Sequence, residues 1–495
     1  MQQLTIKDLH FKYKNSSLPI FEHLNLKFEN GWNCLVGSNG SGKSTLLKLI
    51  SKELTSENRT IQGNDSTHYC PQSTEYPPKN LEDFMHTFNN LSFKIRDRLN
   101  IQDSWLYQWD ILSHGERKRL QLAVALFEEP DILLVDEPTN HLDNKSKYIV
   151  LNALKSFKGI GILVSHDREL LDSLSQSTGI LKNKNIITFK TSFSNAMSEY
   201  HKSMEFLEKT QIKKNLELKR LKKSIQMQQE KVSQSKKRFS KKGLDKNDSD
   251  AKNKINLAKL TGKDKNNAQV VSKLQSKQKH LLSKVIKTDK TYKLGIEFYA
   301  KKNKNIFPII VDKNILNLSD TKKLSYQKLT INESNKIGII GENGSGKSGF
   351  LKHILSAIDL KNEHLYIPQE ITEEESKKLF DEINSLPNAV KGEIYTIIRK
   401  LSSDPIKLQD SFMPSAGEIR KLMIAKGLMQ SPSLIIFDEP TNHMDVDSIA
   451  SLELALKEYN GTMIIVSHDS IFLNAVTDMK WNFEKIDSSS YQIKE

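Results

Sequence analysis

The chain has 495 residues, 37% of them hydrophobic, and a formal net charge of +14; its mean hydropathy is −0.53. That length accommodates two or three domains with separate cores, while the longest apolar runs, such as 132–135 and 306–311, fall well short of the roughly 20 residues a membrane helix needs. The opening Met-Gln-Gln-Leu-Thr-Ile-Lys-Asp has no apolar signal-peptide core, and the two cysteines, Cys34 and Cys70, form no metal-like cluster, so a reducing, cytoplasmic setting is expected.

Residues 1–190 alternate short apolar strands with helical stretches, the pattern of an α/β domain. A strand over Trp32–Val36 runs into Gly37-Ser-Asn39-Gly40-Ser-Gly42-Lys43-Ser44. Glycines at this spacing let backbone N–H groups turn inward around phosphate oxygens, the lysine balances β/γ charge, and the serine hydroxyl helps hold Mg²⁺. Gln72, in Tyr-Cys-Pro-Gln, is a candidate contact for Mg²⁺ and water. A buried strand over Ile132–Val135 ends in Asp136-Glu137. The first acid is placed for the Mg²⁺ shell and the second to polarise an attacking water. A third strand, Gly161–Val164, precedes Ser165-His166, and His166 is a candidate γ-phosphate sensor.

Residues 191–295 change pattern. One apolar seam passes through Met197, Met204, Leu218, Ile225, Val232 and Phe239, with Tyr200, Leu207 and Leu221 in companion positions. A second runs through Val271, Leu274, Leu281, Val285 and Tyr292, with Leu257 and Leu260 in frame. Heptad seams separated by a polar stretch predict an antiparallel helical hairpin, its tip within Lys241–Asn267. A helix over 197–240 would extend roughly 65 Å at 1.5 Å per residue. Residues 201–293 hold 27 Lys/Arg against 9 Asp/Glu, so the insert carries more positive charge than the whole chain and the remainder is net acidic. A solvated spacer needs neither one-signed charge nor basic clusters such as 236–238 and 241–242, whereas contact with a polyanion requires both. The candidate tip contacts are Phe239, Lys241, Lys242, Leu244 and Lys246.

Residues 296–495 repeat the first plan. Predicted strands Lys336–Ile340, Leu434–Phe437 and Met463–Val466 lead into Gly341-Glu-Asn343-Gly344-Ser-Gly346-Lys347-Ser348, Asp438-Glu439 and His468, with Gln369 matching Gln72. Lys43 lies 123 residues before His166 and Lys347 lies 121 before His468. One domain has been used twice.

A remaining motif, Leu112-Ser113-His-Gly115-Glu116 and Pro414-Ser415-Ala-Gly417-Glu418, resembles the signature sequence of ATP-binding-cassette (ABC) ATPases. It sits at a predicted helix N-terminus, where free N–H groups and the helix dipole favour phosphate. The resemblance implies that each signature completes the ATP site of the opposite domain. Lys43, Ser44, Gln72, Asp136, Glu137 and His166 would then face Ser415 and Gly417. Lys347, Ser348, Gln369, Asp438, Glu439 and His468 would face Ser113 and Gly115, in an intramolecular sandwich within a monomer. It further implies Tyr13 as the ring that stacks on adenine. The second repeat has only Leu318-Ser-Asp320 there, and Gly349 where the first has Thr45, so weaker or slower nucleotide handling is expected at the Lys347 site.

Tandem cassettes, the paired Asp-Glu-Pro-Thr-Asn-His of 136–141 and 438–443, and the long charged linker together resemble the ABC-F translation-factor family. Its members bind the ribosomal exit-tRNA site with ATP and push the linker towards the P-site tRNA, which implies rRNA and tRNA as partners. Between Gln72 and Ser113, and between Gln369 and Ser415, no arm is inserted, and no basic tail follows His468. That combination resembles the antibiotic-resistance subgroup, whose linker tips approach the peptidyl-transferase centre. A housekeeping factor that relieves stalled ribosomes without a drug is the alternative. The expected fold is α/β: two P-loop ATPase domains, 1–190 and 296–495, joined by a helical hairpin over 191–295.

Overall fold

A computed structural model describes residues 3–14, 16, 18–56, 61–62, 66–182, 184–238, 263–283, 299–300, 307–319, 322–357, 364–405, 408, 414–487 and 489–495. It divides into two compact units, residues 1–196 with 292–495, and residues 197–291.

In the first unit, a six-stranded sheet takes the order Thr67–Cys70, Ile132–Asp136, Ile160–Val164, Gly31–Gly37, Ser177–Lys182, Asn185–Phe189. The first five strands are parallel and the last is antiparallel. Ile132–Asp136 and Ile160–Val164 are buried at every residue, as parallel strands covered on both faces must be. A three-stranded antiparallel sheet, Phe21–Glu29, Gln3–Phe11 and Ile61–Gln62, stands beside it.

Residues 299–495 repeat this order. His364–Ile367, Leu434–Asp438, Thr462–Val466, Lys336–Gly341 and Met479–Lys485 are parallel neighbours, and Ser490–Lys494 returns antiparallel. Lys323–Tyr326 and Asn314–Asn317 extend this sheet to eight strands. In both halves the phosphate loop leaves the carboxyl end of the central strand. Crevices at that end are where open α/β sheets bind ligands.

The six predicted motif strands are all present, each within a residue of its expected bounds. The second unit contains most of a 46-residue helix, Phe193–Arg238, and a helix over Lys263–Ser283. At 1.5 Å per residue the longer one extends about 69 Å. Leu218, Leu221 and Ile225 are buried along one stripe, with Met204 and Val232 half-buried. Leu207, expected on the seam, is exposed. Lys277 and Glu217, 3.1 Å apart, tie the two helices together. Since the second helix begins at Lys263, residues 263–267 belong to it rather than to the tip. Phe239, Lys241, Lys242, Leu244 and Lys246, and the seam positions Leu257, Leu260, Val285 and Tyr292, lie outside the described residues.

The second half's core centres on Phe350, fully buried on the helix after the phosphate loop and ringed by Tyr326, Trp481 and Phe483 at centroid separations of 5.1, 6.0 and 5.6 Å. Removing a ring from such a site costs about 3–5 kcal/mol. Phe350→Ala is therefore expected to lower the thermal unfolding midpoint clearly, whereas Phe206→Ala on the exposed face of the long helix leaves it within about 1 °C. Calorimetry of the full chain checks both.

Candidate ATP sites at the boundary of the two halves

Each phosphate loop reaches its helix through glycines that no L side chain could replace without strain. Gly42 and Gly346 cap Lys43–Ile50 and Lys347–Ala357 with φ of 104° and 95°, in left-handed space that glycine enters freely. The lysines fold across their own loops. Lys43 Nζ donates to the carbonyls of Gly37 and Ser38 at 2.7 and 3.2 Å, and Lys347 Nζ to those of Gly341 and Glu342 at 2.8 and 2.9 Å. Burial pushes both ammonium groups below the usual lysine range.

At the adjacent strand ends, burial raises Asp136 and Asp438, while hydrogen bonds from Ser44 and Ser348 oppose the rise. Each aspartate keeps Oδ1 buried with no hydrogen-bond partner. An orphaned carboxylate oxygen beside a serine hydroxyl suits a hard divalent cation, so Ser44 with Asp136, and Ser348 with Asp438, fit Mg²⁺. The next residues, Glu137 and Glu439, hold positive φ of 46° and 51°, a conformation that costs energy and clusters at functional sites. Burial lifts Glu137 to about 8 against the pull of Lys43. It lifts Glu439 to about 7 against Lys347, the His468 backbone and Lys147.

The two histidines are arranged alike. His166 Nε2 is 3.3 Å from Glu137 Oε1, and its backbone N–H donates to Oε2 at 3.3 Å. The corresponding distances from His468 to Glu439 are 3.5 and 3.3 Å. Burial lowers both imidazoles to about 3, so they are neutral at physiological pH and can offer a hydrogen bond without charge.

The signature serines start helices. Ser113 and Ser415 cap His114–Phe127 and Ala416–Leu428, each in a reciprocal capping box with Glu116 or Glu418, which leaves other first-turn N–H groups to face outwards. A cavity of about 520 Å³ opens between the halves, within the usual range for small-molecule sites. It brings Asn39, Gly40, Gly42, Lys43, Ser44, Thr45, Gln72, Asp136, Glu137 and His166 of the first half together with Ser415 and Gly417 of the second. Asn343, Gln369, Glu439 and His468 line it too. Tyr13, Gly37, Ser113, Gly115, Gly341, Gly344, Gly346, Lys347, Ser348 and Asp438 are not among its lining.

Across the boundary the bonds are reciprocal. The Asn39 backbone N–H donates to Asp445 Oδ2 and that of Asn343 to Asp143 Oδ2, both at 3.2 Å. The side-chain amides of Asn39 and Asn343 reach the carbonyls of His443 and His141 at 2.7 and 3.0 Å. His141 and His443 themselves meet with ring centroids 5.3 Å apart, and His114 adds to the stack at 5.1 Å from His141. Motif reading missed Asp143 and Asp445. Their signal was present, since each lies seven residues beyond the acid of its own Asp-Glu-Pro-Thr-Asn-His.

The halves differ around Tyr13 and its counterpart. Tyr13, 39% exposed, sits edge-on to Phe11 at 5.0 Å and meets the Thr45 hydroxyl at 3.1 Å. In the second half, Leu318 packs where Cβ atoms on Gly346 and Gly349 would come within 2.4 and 3.6 Å of it, and Asp320 lies outside the described residues.

A Cβ on Gly417 would stand 2.3 Å from the His443 carbonyl and 3.1 Å from Asn39 Nδ2, forcing the signature helix away from the first phosphate loop. Displacements of about 1 Å can cost about 10²-fold in rate. Gly417→Ala is therefore expected to lower ATP turnover at least about tenfold, whereas Gly392→Ala, with open space around it, leaves turnover within about twofold. A phosphate-release assay on both variants checks this.

The family model described as ABC transporter matches residues 21–140 and 324–442, one stretch in each half. The ribosome protection protein VmlR of Bacillus subtilis (strain 168) is 27% identical over 507 residues, covering 96% of this chain and 86% of the relative. The erythromycin resistance ATP-binding protein MsrA of Staphylococcus epidermidis is 28% identical over 501 residues, covering 97% and 98%. The ATP-binding protein Uup of Buchnera aphidicola subsp. Acyrthosiphon pisum is 28% identical over 518 residues, covering 95% and 79%. Among solved structures, an archaeal ribosome recycling factor, aABCE1, in complex with the stalk protein aP1 has a TM-score of 0.61 at 17% identity, covering 98% of this chain and 89% of that one. At that identity the likeness concerns the fold. Among the described residues, no helix is long and apolar enough to cross a membrane. The chain thus carries two ABC-type ATPase cassettes in tandem and is similar along nearly its whole length to proteins of the ABC-F kind.

Proposed function

We propose that the protein is an ATP-driven ribosome-binding factor of the protection type, acting in the cytoplasm as a monomer. Its two halves would close on two ATP molecules, enter the exit-tRNA site, and direct the basic linker at the P-site tRNA and peptidyl-transferase centre. The observation that carries this is a segment with 27 basic and 9 acidic residues over 201–293, inserted in sequence between the halves of a nucleotide clamp. Neutralising RNA phosphates releases counterions, a favourable and salt-dependent term that such an element is built to collect. Two of the relatives bear names of ribosome protection and erythromycin resistance over more than nine-tenths of this chain.

In each site, the phosphate-loop amides and Lys43 or Lys347 would bind the β- and γ-phosphates. Ser44 with Asp136, or Ser348 with Asp438, would hold Mg²⁺, assisted by Gln72 or Gln369. The cation, when bound, would supply charge neutralisation between the β- and γ-oxygens. Glu137 and Glu439 would orient and deprotonate water, and the neutral imidazoles of His166 and His468 would donate to the γ-phosphate. The opposite signature helix, through Ser415–Gly417 or Ser113–Gly115, would complete the phosphate cage. The relatives include Uup proteins as well, and the housekeeping alternative uses the same chemistry without the drug.

Glu137→Gln combined with Glu439→Gln should abolish turnover and trap the ATP form on ribosomes, with sedimenting protein falling steeply as salt rises. Absence from the ribosome pellet at modest salt would exclude a translational role. Expression in a sensitive host, challenged with drugs of the peptidyl-transferase centre, separates the two readings: protection raises an inhibitory concentration, and a housekeeping factor raises none.

Tyr13 against Leu318 makes the first site the tighter one. Lys347→Ala, which leaves the first site intact, should retain more ATP affinity than Lys43→Ala. Equilibrium titration with a fluorescent ATP analogue measures both, and equal residual affinities would refute the asymmetry.

A further inference from the structure

The duplication is broken where the two histidine-bearing turns approach each other. His166-Asp167-Arg168 links the strand Ile160–Val164 to the helix Arg168–Leu174, which Asp167 caps. His468-Asp469-Ser470 does the same between Thr462–Val466 and Ser470–Val476, with Asp469 as the cap. Arg168 crosses to the other half, where its guanidinium donates to Glu453 Oε2 at 3.0 Å and to Asp469 Oδ2 at 3.3 Å. Lys147 Nζ is 3.1 Å from Asp167 Oδ2 on its own half and donates to the His468 carbonyl across the boundary at 3.1 Å. These five side chains are each 12–22% exposed, sheltered enough for charged hydrogen bonds to hold a geometry.

Repeat symmetry would demand a reciprocal set from the second half, and none exists among the described residues. The positions matching Lys147, Arg168 and Glu453 are Ile449, Ser470 and Leu151. Both cations come from the first half, and both act on the His468 turn, one on its backbone and one on the acid that caps the following helix. Phe472 N–H donates to Asp469 Oδ1 at 2.8 Å, so this carboxylate spans helix cap and guanidinium at once. His468 is thereby fixed from the far side while its Nε2 lies 3.0 Å from Asn343 Oδ1 of its own phosphate loop.

We propose that Arg168 and Lys147 are positioning residues that bolt the His468 turn to the His166 turn across the domain boundary, so that one half sets the geometry of the other half's γ-phosphate contact. Neither touches the reacting atoms. They act through His468, and the proposal rests on the role given to that histidine above. The substrate charge they serve is the terminal phosphate of a nucleoside triphosphate, and the second site cannot take up its working geometry while the halves are apart.

The test uses the full chain, steady-state ATP hydrolysis and amide hydrogen exchange. Among the described residues, the Arg168 side chain bonds only to Glu453 and Asp469 of the other half, so Arg168→Ala isolates the tie. In a Glu137→Gln background, where turnover belongs to the second site, Arg168→Ala should lower kcat about tenfold with KM changed less than about twofold. Glu453→Gln should lower it in the same direction. Arg168→Lys, which keeps a cation beside both Glu453 and Asp469, should retain at least about half of the activity that Arg168→Ala loses, which a merely folded-state defect would not explain. Exchange in segment 468–476 should quicken in Arg168→Ala while the thermal midpoint is retained. Unchanged kcat, an effect on KM alone, or an Arg168→Lys variant as slow as Arg168→Ala would overturn the proposal. If Glu137→Gln with Glu439→Gln still turned over ATP, the roles given to the glutamates would fall. Exchange in segment 468–476 would then decide the tie alone, quickening in its favour and unchanged against it.

Discussion

The structure turns on two backbone N–H groups whose acceptors lie in the opposite half. Asn39 and Asn343 each sit at the bend of a phosphate loop whose amides point outwards for an anion, and each donates to an aspartate of the opposite half. A hydrogen bond to an ionised carboxylate is roughly twice as strong as one between neutral groups. The loop conformation that suits a triphosphate is thus one that favours closure on the other half. Domain pairing and nucleotide binding are two aspects of one hydrogen-bond requirement.

Around that boundary the charges are arranged for a polyanion. Burial is the largest force driving the lysine ammonium groups down, the carboxyls up and the imidazoles to neutrality, with neighbouring like charges adding to it at the histidines and glutamates. Groups held this far from their ordinary ionisation are expensive to keep in a folded protein, and their clustering in one cleft is characteristic of catalytic sites. The insert treats charge in the opposite way. Lys202, Lys213, Lys219, Lys222, Lys223 and Lys231 on the long helix are exposed, which suits long-range attraction to phosphate rather than chemistry.

Much of this was legible from residues alone because the chain states its plan twice. Short apolar runs, each ending in a motif, located six central strands, since strands buried on both faces read as near-continuous apolar runs rich in Val, Ile and Leu. The capping boxes at Ser113 and Ser415 could be read from serine and glutamate three residues apart. Asp143 and Asp445 escaped notice because an aspartate three residues before a helical turn looks like a cap, and both do cap, through Ser146 and Ser448. Their second carboxylate oxygen performs the function, and no local pattern reports where a second oxygen points. Arg168 and Lys147 were invisible for a related reason. Their partners lie about 300 residues away, and the asymmetry appears only when one repeat is laid over the other in space. Leu207 illustrates the limit of heptad counting, for a residue can keep the frame and still face solvent.

His141 and His443 occupy matching positions in the repeats, and their rings meet each other. In an assembly of two identical chains such a contact would lie on the twofold axis, where any substitution is made on both sides at once and must be compatible with itself. Covalent fusion lifts that restriction. His114 joins the stack from one side only, and its counterpart is Ala416. Joining the halves end to end therefore let the axis itself drift from symmetry, one residue at a time, and gave the molecule a front and a back.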